Sequence, residues 1–315
     1  MYFPYVYGRQ SELRAIQDAN VPYCSNGKVV PIIEPVVKKP KDLLRCVELL
    51  GNSGSRLIVV TNPNQGDFHT GIDPIWTQEL DTNIAKFPAI IPAYKCGPAI
   101  LYADVQKFLL KYSHRQVALI YVNSQLTTAE FTSLIGLSQI IAHINVKMTS
   151  QQRAALPSSS AVDILENFNK LTRNADYSGV EIFSDQHKYF SGTGIGFGDF
   201  TITGRPFVDG GGKVAAVALH ATFLHPASKD IWVEHFVSDD TDINTGSAAS
   251  KYLEAATKFT AAAIIRNNEF GTNSALNDYA NDVKNAHYPG LGKSKQRQIY
   301  HHIALVHDVL HGKLK

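Results

Sequence analysis

The sequence contains few cysteines, and they are far apart: Cys24, Cys46 and Cys96 are the three among 315 residues. An odd number, with no Cys-x-x-Cys pair and no accompanying histidine cluster, argues against a disulfide framework and a structural zinc site. No apolar run approaches the roughly 20 residues that a membrane-spanning helix needs. The first residues also lack a basic region followed by an apolar core. We therefore expect a cytoplasmic protein with reduced thiols and no membrane partner.

Neither sign of charge dominates the sequence, since the formal net charge is +2. This balance gives no electrostatic argument for nucleic acid or a membrane surface, although nucleic acid is not excluded. The motifs GxSxG, HExxH and Walker A are also missing. Their absence argues against the common hydrolases, metalloproteases and nucleotide-binding enzymes. It does not exclude a barrel enzyme, whose site is assembled from distant strand ends.

The most regular feature of the chain is an alternation of apolar runs with helical stretches. Continuous Val, Ile and Leu runs are typical of parallel strands covered on both faces. Six such runs recur at roughly 25–30 residues; they span 2–7, 29–34, 57–60, 89–95, 117–123 and 139–145. A seventh strand is predicted within 161–168, and an eighth at 200–203. A doubly wound sheet and a (β/α)8 barrel both satisfy this pattern, and the chain length favours the barrel.

The predicted fold is therefore α/β, a (β/α)8 TIM-barrel-like domain with a late β-hairpin insertion and C-terminal helices. We expect one domain over 1–315, with the β/α units and a glycine-rich loop in about 1–205. The hairpin falls in 206–240, where two apolar runs are joined by Pro-Ala-Ser-Lys-Asp, and the C-terminal helices in 241–315.

Polar residues follow several of the predicted strands, where barrels and doubly wound sheets bind ligands. They are Glu34, Asn62, Asn64, Lys95, Asn123 and Asn145. A carboxylate is rarely buried unpaired, so Glu34 either meets solvent or forms an ion pair with Arg9 or Lys95. Lys95 is a candidate anion ligand, general base or Schiff-base amine; the alternative is a lysine simply exposed at a strand end.

The stretch from Ser191 to Gly204 places a glycine at every second position and then Asp199. Backbone amides of Gly194, Gly196 and Gly198 could hold a phosphate. However, neither a helix nor a Gly-Lys-Ser/Thr motif follows. The alternative is that the stretch is a tight loop or an irregular strand. Asp199 is a candidate catalytic carboxylate together with Glu34, Lys95 and His235. Its alternative role is to hold the shape of the loop.

Histidines give two further patterns, neither of which predicts a metal. His220, His225 and His235 lie on the predicted hairpin, where His220 and His235 could face each other. A metal would need a third ligand from an aspartate, and we predict none; no cofactor is indicated either. The C-terminal histidines, among them His301, His302 and His307, are predicted to lie on a solvated helix face.

Three segments together resemble the bacteriophage beta-protein family and its bacterial relatives. They are an aromatic opening that leads through Gly8-Arg9-Gln10 into a helix, the Val30-Pro-Ile-Ile-Glu-Pro35 strand, and Phe197-Gly-Asp-Phe200. The resemblance implies a barrel-type α/β fold, a setting in phage or mobile-element conflict, and a protein partner. It implies no biochemical activity for any residue.

Two functions from different classes remain open. The first is a binding or effector component of a bacterial phage-defence or mobile-element system that uses a polar barrel mouth for a ligand or partner. The second is a hydrolase- or lyase-like enzyme acting on a phosphate-bearing substrate. The enzyme would be favoured if one pocket brought together the four candidate catalytic residues, which are Glu34, Lys95, Asp199 and His235. The binding protein would be favoured if these residues were scattered or held in separate ion pairs.

Overall fold

A computed structural model describes residues 1–208 and 212–314 of the chain. Its strands are β1 Tyr2–Val6, β2 Ile32–Ile33, β3 Leu57–Val60, β4 Ile90–Cys96, β5 Val117–Val122, β6 Ile140–Lys147, β7 Ala161–Leu165, β8 Val180–Ser184, β9 Gly196–Asp199, β10 Ala218–Leu224 and β11 Ile231–Val237. Its α-helices are α1 Gln10–Ala19, α2 Lys41–Asn52, α3 Pro74–Ala85, α4 Tyr102–Lys111, α5 Thr128–Ile135, α6 Ser150–Ala155, α7 Ala248–Ile265, α8 Asn267–Phe270, α9 Ser274–Lys284 and α10 Leu291–Leu310.

Eight of the strands close into a barrel in the order β1-β2-β3-β4-β5-β6-β7-β9. Every pairing in this ring is parallel. The fold is therefore a TIM-barrel-like α/β barrel, as the alternation of apolar runs predicts. The hairpin prediction is also confirmed, because β10 and β11 pair antiparallel, and helices α7 to α10 follow them.

Chain contacts divide the protein into two compact units. The first consists of 1–9, 20–165 and 188–200, and it holds all eight barrel strands. The second consists of 10–19, 166–187 and 201–315, and it holds the three-stranded sheet β10-β11-β8 with α1 and the C-terminal helices. The single-domain expectation stays a prediction.

The eighth barrel strand lies earlier in the chain than predicted. Residues Gly196–Asp199 form β9, and the predicted strand at 200–203 is wrong, because Thr201–Thr203 is a 3-10 turn. Thr201 has a φ of 51°, which ends the extended conformation. The strand β8 was not predicted, since Val180-Glu-Ile-Phe-Ser is short and its side chains at Val180 and Ile182 are exposed.

Local sequence signals explain how the barrel helices begin and pack. Thr127 and Glu130 form the predicted capping box of α5, each side chain accepting the other's backbone N–H. Between α4, α5 and the neighbouring strands lies an apolar cluster that includes Phe108, Leu119 and Phe131. The three cysteines are buried free thiols. No described helix is both long and apolar enough to cross a membrane.

Candidate functional site

The inner face of the barrel can be assigned from the strand register. Successive residues of a strand point to opposite faces, and laterally paired residues share a face. Leu119 packs in the cluster beneath the helices, so its neighbour Ile120 points into the barrel. Lys95 pairs with Ile120 and therefore also points inward. Ile91, four positions before Lys95, pairs through Ile58 with Ile32, so Ile32 also points inward. Tyr5 pairs with Ile32, and Glu34 is two positions after Ile32, so both of these side chains lie on the inner face.

Five side chains from strands β1 and β4 and from the segments that follow β2 and β3 meet at the carboxyl-terminal end of the barrel. We call this set the barrel mouth: Tyr5, Glu34, Asn64, Gln65 and Lys95. Lys95 forms an ion pair with Glu34 and donates to Asn64 Oδ1 at 2.5 Å. Gln65 Nε2 donates to the same Glu34 oxygen at 3.2 Å, and the Tyr5 hydroxyl donates to the other. Of the alternatives predicted for Glu34, the ion pair with Lys95 is the one that forms.

The ion pair lies at the boundary between the barrel core and solvent. Glu34 is 2% exposed and Lys95 8%, whereas Asn64 is exposed. A buried charge is tolerated when it is paired and its remaining hydrogen-bonding capacity is used, and here both carboxylate oxygens of Glu34 have donors. The Lys95 ammonium group donates to Asn64, whose side chain is exposed to solvent. The arrangement can therefore present a fixed cation and two amides to a polar ligand.

Asn62, a predicted ligand-binding residue, has a structural role in this geometry. Its side-chain nitrogen donates to the Lys95 carbonyl at 3.0 Å, and its Oδ1 accepts from the Lys95 amide at 2.7 Å. The side chain thus continues the β3–β4 pairing beyond Val60 and holds the backbone of Lys95. Asn62 positions Lys95, while a direct contact with a ligand stays a prediction.

An aromatic cluster lines the mouth beside β1. The Tyr5 ring lies 4.7 Å from Phe200 and 5.9 Å from Tyr7, measured between centroids, and Tyr7 stacks on Phe200 at 6.0 Å. These contacts fix the Tyr5 ring and aim its hydroxyl at Glu34. Tyr5 is a site residue that was not predicted from the sequence. The feature that could have indicated it is the alternation of aromatic residues at 3, 5 and 7, which places three rings on one face of β1.

The structure does not bring Asp199 to the mouth. Asp199 follows Gly198, which pairs with the inward-facing Phe3, so the aspartate side chain lies on the outer face of β9. There it accepts a hydrogen bond of 2.8 Å from the Tyr2 hydroxyl, and it is 1% exposed. Burial, and secondly the charge of Asp199, raise the pKa of the Tyr2 phenol. Because side chains alternate between the two faces of a strand, Asp199 lies on the face opposite to the one that carries Glu34 and Lys95.

The glycines of the Ser191–Gly204 stretch permit a close approach of barrel strands. A β-carbon at Gly198 would overlap the Phe3 carbonyl oxygen and lie 2.6 Å from Ile164 Cδ1. At Gly196 it would lie 2.5 Å from the Met1 carbonyl oxygen, and at Gly194 3.1 Å from the Ala161 carbonyl carbon. Such contacts accept only glycine.

The backbone amides in this stretch already have protein acceptors. The N–H groups of Gly194, Ile195 and Phe197 donate to the carbonyls of Phe190, Ala161 and Met1 at 2.8, 2.9 and 3.1 Å. The amide of Gly194 closes a turn, and those of Ile195 and Phe197 join β9 to its neighbouring strands, so packing alone accounts for the glycine pattern. A phosphate contact of Gly194, Gly196 or Gly198 stays a prediction that no observed geometry requires.

Two further predicted residues lie at strand ends. Asn123 follows β5, is exposed, and has a φ of 52°, a backbone conformation that asparagine adopts more readily than most residues. Its amide donates to the Lys147 carbonyl at 2.7 Å. Arg9 follows β1 after Gly8 and is half-buried. For both, ligand binding stays a prediction.

A second group of charged side chains, on α6 and β7, was not predicted from the sequence. Arg153 of α6 forms a two-pronged pair with Asp163 of β7, at 2.7 and 2.6 Å, and Asn145 donates to the same carboxylate at 2.7 Å. The signal available in the sequence was Asp163, a lone acid within an otherwise apolar strand. Because Arg153 and Asp163 neutralise each other, we assign this ion pair a structural role: it joins α6 to β7.

His235 belongs to the second unit, where it bonds to two other side chains. It lies directly opposite His220 in the β10–β11 pairing, as predicted, and their Nδ1 atoms are 2.8 Å apart. Its Nε2 is 3.2 Å from Glu181 Oε1. Burial lowers the pKa of His220, and it also lowers that of His235 against the opposing effect of Glu181. A catalytic role for His235 stays a prediction.

The prediction of a solvated C-terminal histidine face is wrong for three of these residues. His301, His302 and His307 are each at most 1% exposed. His301 Nε2 donates to the Thr222 carbonyl at 2.9 Å, and His302 Nδ1 lies 3.1 Å from the Thr222 hydroxyl. The helix α10 is buried on several faces, so these imidazoles serve as hydrogen-bonding core residues there. Among the described residues, no group of three or more His, Cys, Asp or Glu side chains could hold a metal.

A buried histidine in the barrel gives a testable pH dependence. His143 of β6 is 1% exposed, its Nδ1 lies 2.9 Å from the Tyr121 hydroxyl, and burial lowers its pKa from 6.5 to about 4. The folded state thus holds the ring neutral, whereas the unfolded chain binds a proton below about pH 6.5. This stability contribution is intact above pH 6.5 and is lost as the pH falls towards 4. The loss amounts to about 3 kcal/mol over that window.

We expect His143→Gln, which retains a hydrogen-bonding partner for Tyr121, to flatten this dependence. The measurement is the free energy of urea unfolding of both proteins from pH 7 to pH 4.5. The wild type should lose more stability than the variant over this range. Parallel curves for the two proteins would show that His143 is not the titrating group.

Comparison with known proteins adds one likeness and no family. No protein-family model matches the chain, and no curated protein matches it. Among solved structures, the crystal structure of N-acetylneuraminate lyase from Fusobacterium nucleatum is similar over 99% of this chain and 98% of that one. The identity is 11% and the TM-score 0.42. A likeness at this level gives no basis for assigning an activity.

Proposed function

We propose that the barrel mouth binds a small polar ligand, and that the protein is a binding or effector component of a bacterial phage-defence or mobile-element system. The observation that carries the binding proposal is the Lys95–Glu34 ion pair at the carboxyl ends of the strands, surrounded by Tyr5, Asn64 and Gln65. Barrel proteins bind ligands at this end.

The distribution of the four candidate catalytic residues favours binding over catalysis. Glu34 and Lys95 form a pair, Asp199 bonds to Tyr2 on the other face of the barrel wall, and His235 bonds to His220 and Glu181 in the second unit. Each group is thus held in its own local interaction. The setting in phage conflict rests on the resemblance of three segments: the chain's opening, the Val30–Pro35 strand and Phe197–Phe200. The plating efficiency of phages on hosts with and without the gene tests it.

A thermal-shift screen over nucleotides, sugar phosphates and small carboxylic acids tests the binding proposal. We expect at least one polar compound to raise the melting temperature, since a ligand at 100 times its Kd stabilises by about 2.7 kcal/mol. Asn64→Ala should reduce this shift, because Asn64 is exposed beside Lys95 and its loss leaves the ion pair in place. The Lys111→Met variant is the control, because it removes a lysine paired with Asp81 on the barrel exterior.

A flat screen on a well-folded protein would contradict the small-ligand proposal. So would a screen in which every stabilising compound acts equally on the wild type, Asn64→Ala and Lys95→Met, since all of these compounds would then bind elsewhere.

An enzymatic alternative has one specific observation in its favour. Tyr5, Glu34 and Lys95 form a continuous hydrogen-bonded chain, and such a chain could transfer a proton to or from a substrate at the mouth. The alternative would be a hydrolase- or lyase-like reaction on a phosphate-bearing substrate. Turnover of a compound found in the screen, lost in Tyr5→Phe while binding is retained, would support it; binding without turnover would contradict it.

A further inference from the structure

A cavity of about 270 Å³ lies at the end of the barrel opposite the mouth. Its walls include Phe3, Ile58, Ile91 and Ala142 from four different strands. Ile58 and Ile91 are each the second residue of their strand, which places the cavity at the amino-terminal ends of the strands. The volume is near the lower end of that of small-molecule sites.

Small side chains on the inner face explain why this space is open. The interior of such barrels is normally filled by layers of bulky branched residues. Here β9 contributes Gly196 to the inner face, and β6 contributes Ala142. Phe3 covers Gly196, at whose position a β-carbon would meet its ring. The inner layer at this end therefore lacks the volume of two large side chains.

Polar residues surround the entrance to this apolar space. Arg56 directly precedes β3, and Gln116 directly precedes β5. Both are exposed. The Arg56 guanidinium has no hydrogen-bond or ion-pair partner within 1–208 and 212–314, unlike Arg115 at the same end of the barrel, which donates to the Phe87 and Ile90 carbonyls. An unpaired guanidinium beside an apolar cavity can bind an anionic head group.

We propose that this cavity is a second binding site, for a small amphipathic carboxylic acid. The apolar chain would occupy the space between Phe3, Ile91 and Ala142, and the carboxylate would pair with Arg56. The Gln116 amide would donate a further hydrogen bond to the head group. This site is independent of the barrel mouth and of the function proposed for it.

Calorimetric titration of octanoate and of 1-octanol into the full-length protein at pH 7.5 tests the proposal. We expect octanoate to bind the wild type and to bind Arg56→Gln at least about tenfold more weakly, since a hydrogen bond to a charged group contributes that much. Octanol should bind both proteins equally, because it has the apolar chain without the charge. Arg45→Gln, at an exposed arginine of α2 outside the cavity, is the matched control and should behave like the wild type.

Two further variants distinguish the possible outcomes. Ala142→Phe should abolish binding of both compounds by filling the cavity, and its circular dichroism spectrum shows whether it folds. Asn64→Ala, which retains the Lys95–Glu34 ion pair, should leave octanoate binding unchanged, and this separates the cavity from the mouth. The proposal is overturned if octanoate does not bind, if Arg56→Gln leaves its affinity unchanged, or if a folded Ala142→Phe variant binds as the wild type does.

Discussion

Lys95→Met is expected to destabilise the protein by about 3–5 kcal/mol, because it leaves the Glu34 carboxylate buried without its cation. Glu34 is 2% exposed and lies in the barrel interior, so water cannot easily replace the ammonium group. The measurement is the free energy of unfolding in urea at pH 7. Replacing both partners, in Lys95→Met with Glu34→Leu, should recover much of the loss, since an apolar pair leaves no buried charge.

Lys111→Met is the matched control for this experiment. Its partner is Asp81, and the two side chains are 44% and 25% exposed. A pair so open to solvent contributes about 1 kcal/mol or less. If Lys95→Met were no more destabilising than Lys111→Met, the ion pair at the mouth would not be the buried, coupled group described above.

Gly198→Ala is expected to cost more than about 4 kcal/mol or to prevent folding, which places it among the exceptional substitutions. The added methyl group would overlap the Phe3 carbonyl oxygen and press on Ile164. The obstacle is backbone in a neighbouring strand, so the barrel would have to open between β1 and β9 to accommodate it. Soluble yield and urea unfolding of the purified variant measure the effect.

Gly192→Ala serves as the comparison within the same glycine-rich stretch. A β-carbon at Gly192 would meet no atom of the described residues within 4 Å, and the φ of Gly192 is not in the left-handed region. We expect its stability to lie within about 0.5 kcal/mol of the wild type. If the two alanine variants were equally stable, close approach of the strands would not be the reason for the glycines. Phosphate binding by the glycine-rich stretch would then be the better explanation.

The parts of the fold that depend on local pattern could be predicted from the sequence. Continuous apolar runs indicated parallel strands, and polar residues at the carboxyl ends of β2, β3 and β4 indicated a polar mouth. Glu34 and Lys95 are 61 positions apart, yet both follow from one rule, because parallel strands carry their carboxyl ends to the same edge.

The remaining parts depend on long-range register, which local pattern does not determine. Asp199 shares a strand end with the mouth, but β9 begins at Gly196, and this start turns Asp199 to the outer face. The position of His235 could not be predicted without knowing which sheet β11 joins. The histidines of α10 carry polar side chains at buried positions, where hydrogen bonds to Thr222 compensate for the loss of solvent.

The most direct test of the central claim, ligand binding at the barrel mouth, is hydrogen exchange measured by mass spectrometry. The protein would be compared with and without the most stabilising compound of the screen. We predict slower exchange in peptides covering 32–36, 61–67 and 93–97, with no change around 54–58 at the opposite end of the barrel. Protection confined to segments outside these three peptides would contradict the claim that the Lys95–Glu34 site binds the ligand.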